Sequence, residues 1–341
     1  MKRTVLDIGY VGNKGTRLHI GELSRLNQLS PDVLAKYGSK LNNSVKSAAD
    51  AATYGIAYPY PGFSGTVASA LRPFPQLNGN SVVTDYGAPL GFSTHEALQV
   101  SLNREIKNGL AVSGNFTWGK TMSNVDSSLA PGNGDNGSRP LDYYNLKLEK
   151  APAGYDQTLA FKAYVVYELP FKGTGWKRTA LGGWSVSAIL NYFSGTPLGF
   201  TAPTPLTTGW NGAVNRPNIA AGDFVNPSYV SGTFDISNTK SAADTYLNKS
   251  LFSTPAALTL GTAARTYSTI RTFPTKNEDL SIQKNFRIRE GMRFQLRGEF
   301  LNAFNRHMLG GISTSVTNAA FGQLTSVTGN RQVQITGRID F

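Results

Sequence analysis

The sequence predicts an all-β fold: an antiparallel up-and-down transmembrane β-barrel. This chain would form part of a larger barrel, with about nine to ten strands and long extracellular loops. Apolar and polar residues alternate over segments of about 9–11 residues, the length that a tilted strand needs to cross a membrane. Short and long connections between these segments alternate along the chain. Charged residues make up only 16% of the 341 residues, below the ~25% of typical soluble domains.

Four hairpin strands are predicted at the start of the chain. TVLDIGYV and TRLHI flank the stretch Gly12-Asn13-Lys14-Gly15, and THEALQVSLNREI and LAVSGNFTWGK flank Lys107-Asn108-Gly109. Asn-Gly is the strongest short-range signal for a hairpin. The same alternation continues in TLAFKAYVVYELP and WSVSAILNYFS, then in DLSIQKNFRI and MRFQLRGEFLNAF on either side of Arg289-Glu290-Gly291, and finally in RQVQITGRIDF.

These segments amount to nine strands, whereas bacterial single-chain barrels use an even number. Either LGFTA (Leu198 to Ala202) is a tenth strand, or the chain is the C-terminal part of a larger barrel. An open sheet would leave an exposed edge at Thr4–Val11.

The connections divide into two classes. Those at 12–15, 107–109, 171–183 and 289–291 are short, and those at 21–93, 124–156, 195–276 and 304–330 are long. In an up-and-down sheet all the long loops would emerge at one end, which is the asymmetry of an outer-membrane barrel. Strand alternation alone also permits a soluble β-sandwich with its apolar side inward.

Each strand is expected to have a lipid face and a lumen face. In MRFQLRGEFLNAF, Phe294, Leu296 and Phe300 would face lipid. The side chains of Arg293, Gln295, Arg297 and Glu299 would face a polar lumen, with Glu299 pairing with Arg297 or Arg293.

The net charge of +12 does not predict nucleic-acid binding, because lysines and arginines are scattered rather than clustered. The absence of cysteine excludes disulfides and thiolate metal sites. His19, His95 and His307 lie far apart in sequence, and a solvated loop is favoured over a Ca²⁺ site for Asp126, Asp135 and Asp142. We therefore expect no metal and no cofactor. No Gly-x-Ser-x-Gly elbow occurs, and we expect no catalytic residue and no enzymatic activity.

Several segments together resemble the barrel of TonB-dependent receptors, most of all the Oar-like group. They are YVGNKGTRL, THEALQVSLNREIKNGL followed by FTWGKTMSNVDSS, YELPFKG, GGWSVSAILNYFSGTPL, LSIQKNFRIREGMRFQLRGEFLNAFNR and the terminal Phe341. The resemblance implies that residues 1–341 are the C-terminal part of such a barrel in the outer membrane of a Gram-negative bacterium, with the plug domain and signal peptide absent from this chain.

The resemblance also implies a function and partners. The function would be energy-dependent uptake of a bulky substrate such as a siderophore or an oligosaccharide. The implied partners are outer-membrane lipid, the barrel-assembly machinery, a small or oligomeric substrate, and a TonB-type energy transducer that acts through the missing N-terminal region. A non-transporting surface protein, such as an adhesin or assembly barrel, is the alternative.

Loop aromatics are the candidate substrate-binding residues, because flat rings suit sugars and metal chelates. They are Tyr58, Tyr60, Phe63, Tyr143, Tyr144 and Trp210. The alternative is that these rings pack loop on loop. In the same region, Ser30 as cap and Pro31 at the first helical position predict a short helix over Ser30 to Gly38.

Two further groups have predicted roles in the membrane. Trp118, Tyr167, Trp184 and Tyr192 fall near strand ends on the lipid side and are predicted girdle residues. The terminal pattern resembles the signal read by the barrel-assembly machinery, and it consists of Val333, Ile335, Gly337, Ile339 and Phe341.

Overall fold

The computed structural model describes residues 4–19, 26–77, 83, 85, 87–126, 140–171, 175, 180–204, 215–229 and 245–341. Its main element is one antiparallel sheet whose eight long strands lie side by side in the order of the sequence. They are β1 (Thr4–Leu18), β2 (Gly91–Lys107), β3 (Leu110–Ser123), β4 (Leu159–Glu168), β5 (Trp184–Phe193), β6 (Thr275–Arg289), β7 (Met292–Leu301) and β8 (Gln332–Asp340). The predicted up-and-down order is confirmed.

The register places nearly all the predicted apolar residues on one face. In the β6–β7 pair, Leu280 lies opposite Phe300 and Phe286 opposite Phe294, whose rings stack with centroids 5.8 Å apart. The same face continues through every strand pair to Ile8 in β1 and Ile335 in β8, which are 67% and 76% exposed. Among the described residues no second sheet covers this face. The sheet therefore presents a broad apolar surface outward.

The predicted first hairpin is wrong, because β1 is a single strand of 15 residues. Gly12 pairs with Glu96 and Asn13 with His95, so β2, which is 17 residues long, offers β1 a partner along its whole length. A two-residue hairpin turn of type I′ would need a positive φ at Asn13, and Asn13 has none. By contrast, Asn108 and Gly109 have φ values of 52° and 80°, which confirms the turn between β2 and β3.

The candidate tenth strand, LGFTA, is also wrong. Only Pro197–Leu198 forms a strand there, and it pairs with Tyr267–Arg271 inside a loop and not with the main sheet. The long strands of the described residues are therefore even in number, with β1 and β8 at the two edges. Among the described residues β1 has a neighbouring strand on one side only, so Thr4–Val11 lies at an edge of this sheet, as expected for a sheet that is not closed.

The connections alternate as predicted once the first turn is removed. The turns at 108–109, 169–183 and 290–291 lie at one end of the sheet, here called the turn end. The loops at 19–90, 124–158, 194–274 and 302–331 lie at the other, the loop end. No helix among the described residues is long and apolar enough to span a membrane.

The first long loop contains the predicted helix, α1 (Pro31–Tyr37). The Ser30 hydroxyl accepts a hydrogen bond from the Val33 N–H at 3.3 Å, and Gly38 ends the helix at a φ of 50°. Two more helices follow, α2 (Ala48–Thr53) and α3 (Val67–Ala70). They pack around Leu29, Leu41 and Phe63, so this loop has an apolar core of its own.

The remaining loop elements are short. The 3₁₀ turns are Gly38–Asn42, Pro75–Leu77, Leu146–Glu149 and Lys249–Leu251. The paired short strands are Ser44–Val45 with Gly65–Thr66, Asn218–Ile219 with Phe252–Ser253, and Met308–Gly310 with Ser326–Thr328, while Ala151–Pro152 pairs with the end of β3. A second apolar core, which includes Phe200, Phe252 and Phe321, joins the loops at 194–274 and 302–331.

Candidate functional site

The face opposite the apolar one is polar and internally hydrogen-bonded. Across the strands, the Ser113 hydroxyl donates to the Asn103 side-chain oxygen at 2.7 Å, and Ser187 and Ser281 share a hydrogen bond of 2.7 Å. A groove of about 400 Å³ lies against β1, β2 and β3. Its polar-face side chains are those of Asp7, Gln99, Ser101, Asn115 and Thr117.

The predicted pairing of Glu299 is confirmed with Arg297, at 3.1 Å, and not with Arg293. Arg293 instead lies 3.8 Å from Asp340 on the neighbouring strand β8. Asp340 also accepts a hydrogen bond of 2.7 Å from Arg338. The turn end of this face is therefore rich in guanidinium groups.

Three ion pairs, two of them buried and the third partly buried, join the loop at 194–274 to the loop at 124–158. We call the described parts of these two loops, so joined, the loop cap. At the centre of the cap, an Arg265 Nη donates to the Asp126 carboxylate at 2.7 Å, and its second Nη to the Ser123 carbonyl at 3.0 Å. Asp126 accepts further hydrogen bonds from the Ser123 hydroxyl (3.0 Å) and the Gly154 N–H (2.7 Å). Both charges are at most 4% exposed, so the pair is desolvated and well hydrogen-bonded.

The other two pairs extend this arrangement. Arg216 contacts Glu149, whose second carboxylate oxygen accepts from the Leu141 N–H at 2.8 Å. Arg271 contacts Asp156 at 2.6 Å, and Asp156 accepts from the Thr121 N–H in β3, also at 2.6 Å. The cap is thereby fastened to the end of a long strand.

Sequence reasoning missed this network, and it misassigned Asp126. Asp126 was expected in a solvated loop, with Ca²⁺ binding as the alternative, but it is 1% exposed and bound to Arg265. Asp142 is also buried, and Asp135 lies outside the described residues. No group of three potential metal ligands occurs within the described ranges.

Half of the predicted aromatic residues form one cluster in the first loop. The Phe63 ring meets Tyr58 and Tyr60 edge-on, at centroid distances of 6.2 and 5.4 Å. The Tyr58 hydroxyl donates to the Phe63 carbonyl at 2.8 Å. Phe63 is 1% exposed, so its ring has no face available to a ligand, and the loop-packing alternative describes it better. Tyr58 and Tyr60 are only partly buried, and their binding role stays a prediction.

The second aromatic pair, Tyr143 and Tyr144, belongs to the loop at 124–158 but hydrogen-bonds to the first loop. Gln28 accepts a hydrogen bond at its side chain from the Tyr143 N–H (2.9 Å) and at its carbonyl from the Tyr144 hydroxyl (3.0 Å). Burial, and then the nearby Asp142 carboxylate, raise the pKa of Tyr144. The Tyr144 side chain is still 57% exposed, so it remains available to a ligand. Trp210 lies outside the described residues.

Comparison with protein families decides the wider assignment. Residues 1–334 match the model of the outer membrane beta barrel domain. The chain belongs to this family. It is an outer-membrane protein, and its outward apolar face is the lipid face. The soluble β-sandwich alternative is therefore wrong. A comparison with curated proteins gives no match.

Among solved structures, this outer-membrane barrel chain is similar to three transporters. The ferric-catecholate import receptor Fiu from E. coli K12, in its closed form, is 13% identical over 77% of the chain, with a TM-score of 0.33. The unliganded ferric citrate transporter FecA is 10% identical over 77%, with a TM-score of 0.33. The outer membrane transporter YddB from Escherichia coli is 11% identical over 100%, with a TM-score of 0.38. The chain spans 22%, 26% and 30% of their lengths, respectively.

The four predicted girdle residues all lie on the lipid face of the barrel sheet. Tyr167 and Trp184 stand near the turn end, and Trp118 and Tyr192 nearer the loop end. The Trp118 side chain is 57% exposed, as a ring in the interface would be. The girdle role of these residues stays a prediction.

Two charged residues on the lipid face, Lys284 and Glu278, contact these aromatics. Lys284 lies opposite Trp184, and its ammonium group lies 4.7 Å from the centre of the Trp184 ring while it donates to the Ala180 carbonyl in the turn. Near the loop end, Glu278 accepts hydrogen bonds of 2.8 Å from the Tyr192 hydroxyl and of 2.7 and 2.8 Å from Arg306. Both of these charged groups therefore have partners among the described residues.

The terminal strand β8 is the second edge of the barrel sheet. Alternate residues of β8 lie on the lipid face, each opposite a lipid-face residue of β7. The pairs are Val333 with Phe300, Ile335 with Gly298, Gly337 with Leu296, and Ile339 with Phe294. Phe341, 89% exposed, follows the strand at the turn end. Recognition of these residues by the assembly machinery stays a prediction.

Proposed function

We propose that this chain is the C-terminal part of an Oar-like TonB-dependent receptor that imports a bulky substrate across the outer membrane. One observation carries the proposal: long loops form an ordered cap at one end of a membrane sheet whose other face is polar. A cap of this kind can capture a ligand outside the cell, and the polar face can line its route inward. The proposed role is transport, without catalysis by this chain.

The candidate ligand contacts at the loop end are the exposed part of Tyr144 in the loop cap and the partly buried Tyr58 and Tyr60 in the first loop. Rings of this type stack on sugars and on metal chelates. The energy transducer would act on the region that precedes this chain in the parent protein. Outer-membrane lipid would contact the apolar face, and the assembly machinery would read the β8 terminus.

Uptake by cells tests the proposal. The full-length protein is produced in a strain that lacks its own related receptors, and accumulation of radiolabelled ferric siderophores, cobalamin and maltooligosaccharides is measured. We expect one substrate class to accumulate only while the energy transducer and the proton-motive force are intact. Accumulation that persists in a transducer-deficient strain would contradict energy coupling. A parent protein without a plug domain would instead support the non-transporting alternative.

A further inference from the structure

Four arginines face the polar side of three neighbouring strands at the turn end of the sheet. Arg287 lies on β6, Arg293 and Arg297 on β7, and Arg338 on β8. Arg287 is directly opposite Arg293 across the strands. Arg338 is opposite Gln295, which makes it the diagonal neighbour of both Arg293 and Arg297. We call these four residues the arginine patch.

The carboxylates near the arginine patch do not balance its charge. Glu299 pairs with Arg297, and Asp340 pairs with Arg338 at 2.7 Å and with Arg293 only at 3.8 Å. Four positive and two negative charges leave a net charge of +2. Within the described residues, no carboxylate lies within ion-pair distance of Arg287.

The opposed pair Arg287 and Arg293 is unfavourable by itself, since like charges directly opposite each other in a sheet destabilise it. Both side chains are exposed on this chain: Arg287 is exposed, and the Arg293 side chain, although 3.8 Å from Asp340, is 70% exposed. An anion between them would convert the repulsion into two charge-assisted contacts.

We propose that the arginine patch binds a small anion that carries two or more carboxylate or phosphate groups. The planar guanidinium fork matches such groups with two parallel N–H donors. Directly opposite residues have Cβ atoms about 4.5–5.5 Å apart, so the forks of Arg287 and Arg293 can hold one oxyanion group. Arg338 stands about 7–8 Å away along the diagonal, in reach of a second group on the same ligand.

Calorimetric titration of the purified full-length protein in detergent tests this site without any import step, so the result is separate from that of the uptake experiment. The probes are inorganic pyrophosphate and citrate at neutral pH and low salt. We expect at least one probe to bind, and the ratio of the two affinities to show which oxyanion the patch prefers. Arg287→Gln with Arg293→Gln should weaken binding about tenfold or more. The matched control Arg331→Gln, an exposed arginine outside the sheet, should leave it unchanged.

A second variant changes binding in the opposite direction. Glu299→Gln removes the partner of Arg297, so it should tighten binding severalfold, which damage to the fold would not do. Retention of heat-modifiable gel mobility shows that the variants are folded. The proposal is overturned if neither probe binds the wild-type protein, if the double variant binds as tightly as the wild type, or if Glu299→Gln weakens binding.

Discussion

Replacement of Arg265 by alanine should open the loop cap. Arg265 donates to the Asp126 carboxylate, the Glu149 carbonyl, the Ser123 carbonyl and the Ser123 hydroxyl. Alanine removes all of these donors at once. Asp126 would stay 1% exposed in a site where its positive partner is gone.

The expected magnitude follows from this burial. Removal of one partner from a buried ion pair destabilises a protein by about 3–5 kcal/mol, because the other charge remains desolvated. A factor of ten in an equilibrium constant corresponds to about 1.4 kcal/mol. Local opening of the cap should therefore become about two to three and a half orders of magnitude more frequent.

Hydrogen exchange followed by mass spectrometry measures this opening peptide by peptide. Faster exchange is expected in the described parts of 124–158 and 194–274, with β6 and β7 unchanged. Lys249→Ala is the matched control, since Lys249 is an exposed cation of the same loop with no ion pair among the described contacts. An increase in cap exchange below tenfold for Arg265→Ala would show that the pair does not hold the cap closed.

Three further predictions concern the lipid face, the terminus and acid sensitivity. Leu296→Arg should destabilise folding into vesicles by about 2–4 kcal/mol near the midplane, more than Gln295→Arg on the polar face, and equal losses in urea titrations would contradict the face assignment. Phe341→Ala should reduce the heat-modifiable fraction recovered from outer membranes, and an unchanged yield would argue against its role in assembly. Hydrogen bonds from the Lys46 and Ser47 N–H groups lower the pKa of Asp50, which belongs to the capping box of α2. The ionised carboxylate therefore stabilises α2 above its ordinary pKa of 3.8, and this stabilisation is lost as the pH falls through the lower pKa of the folded state. Protection of the α2 amides, measured as the exchange rate relative to an unstructured peptide at the same pH, should fall on acidification in the wild type. The same fall in Asp50→Asn would exclude this carboxylate as the cause.

The strands and their faces could be predicted because they depend on local alternation. Leu296 and Phe300 alternate with Gln295 and Arg297 in the sequence, and the register keeps them on opposite faces. The turn at Asn108 could be predicted for the same reason, because its signal is the local Asn-Gly dipeptide. The turn predicted around Asn13 was wrong because its turn-forming residues can also pair in an extended strand. The extended conformation forms because β2 is long enough to pair with the whole of β1.

The loop cap could not be predicted, because its contacts are distant in sequence. Arg265 and Asp126 are 139 positions apart, and Arg271 and Asp156 are 115 apart. Neither residue of a pair has neighbours that mark it as buried. Phe63 shows the same limitation, since an aromatic loop residue has the same local signature whether it packs in a loop core or binds a ligand.

The three arginine–carboxylate pairs also determine how these loops can be exchanged between related barrels. Each arginine belongs to one loop and its acid to the other, so transfer of either loop alone leaves three charges without these partners at buried or partly buried positions. Transfer of both loops together carries every pair intact. The two loops are therefore one electrostatic unit, and a chimera that keeps every pair must be cut at the strand ends that bound both loops.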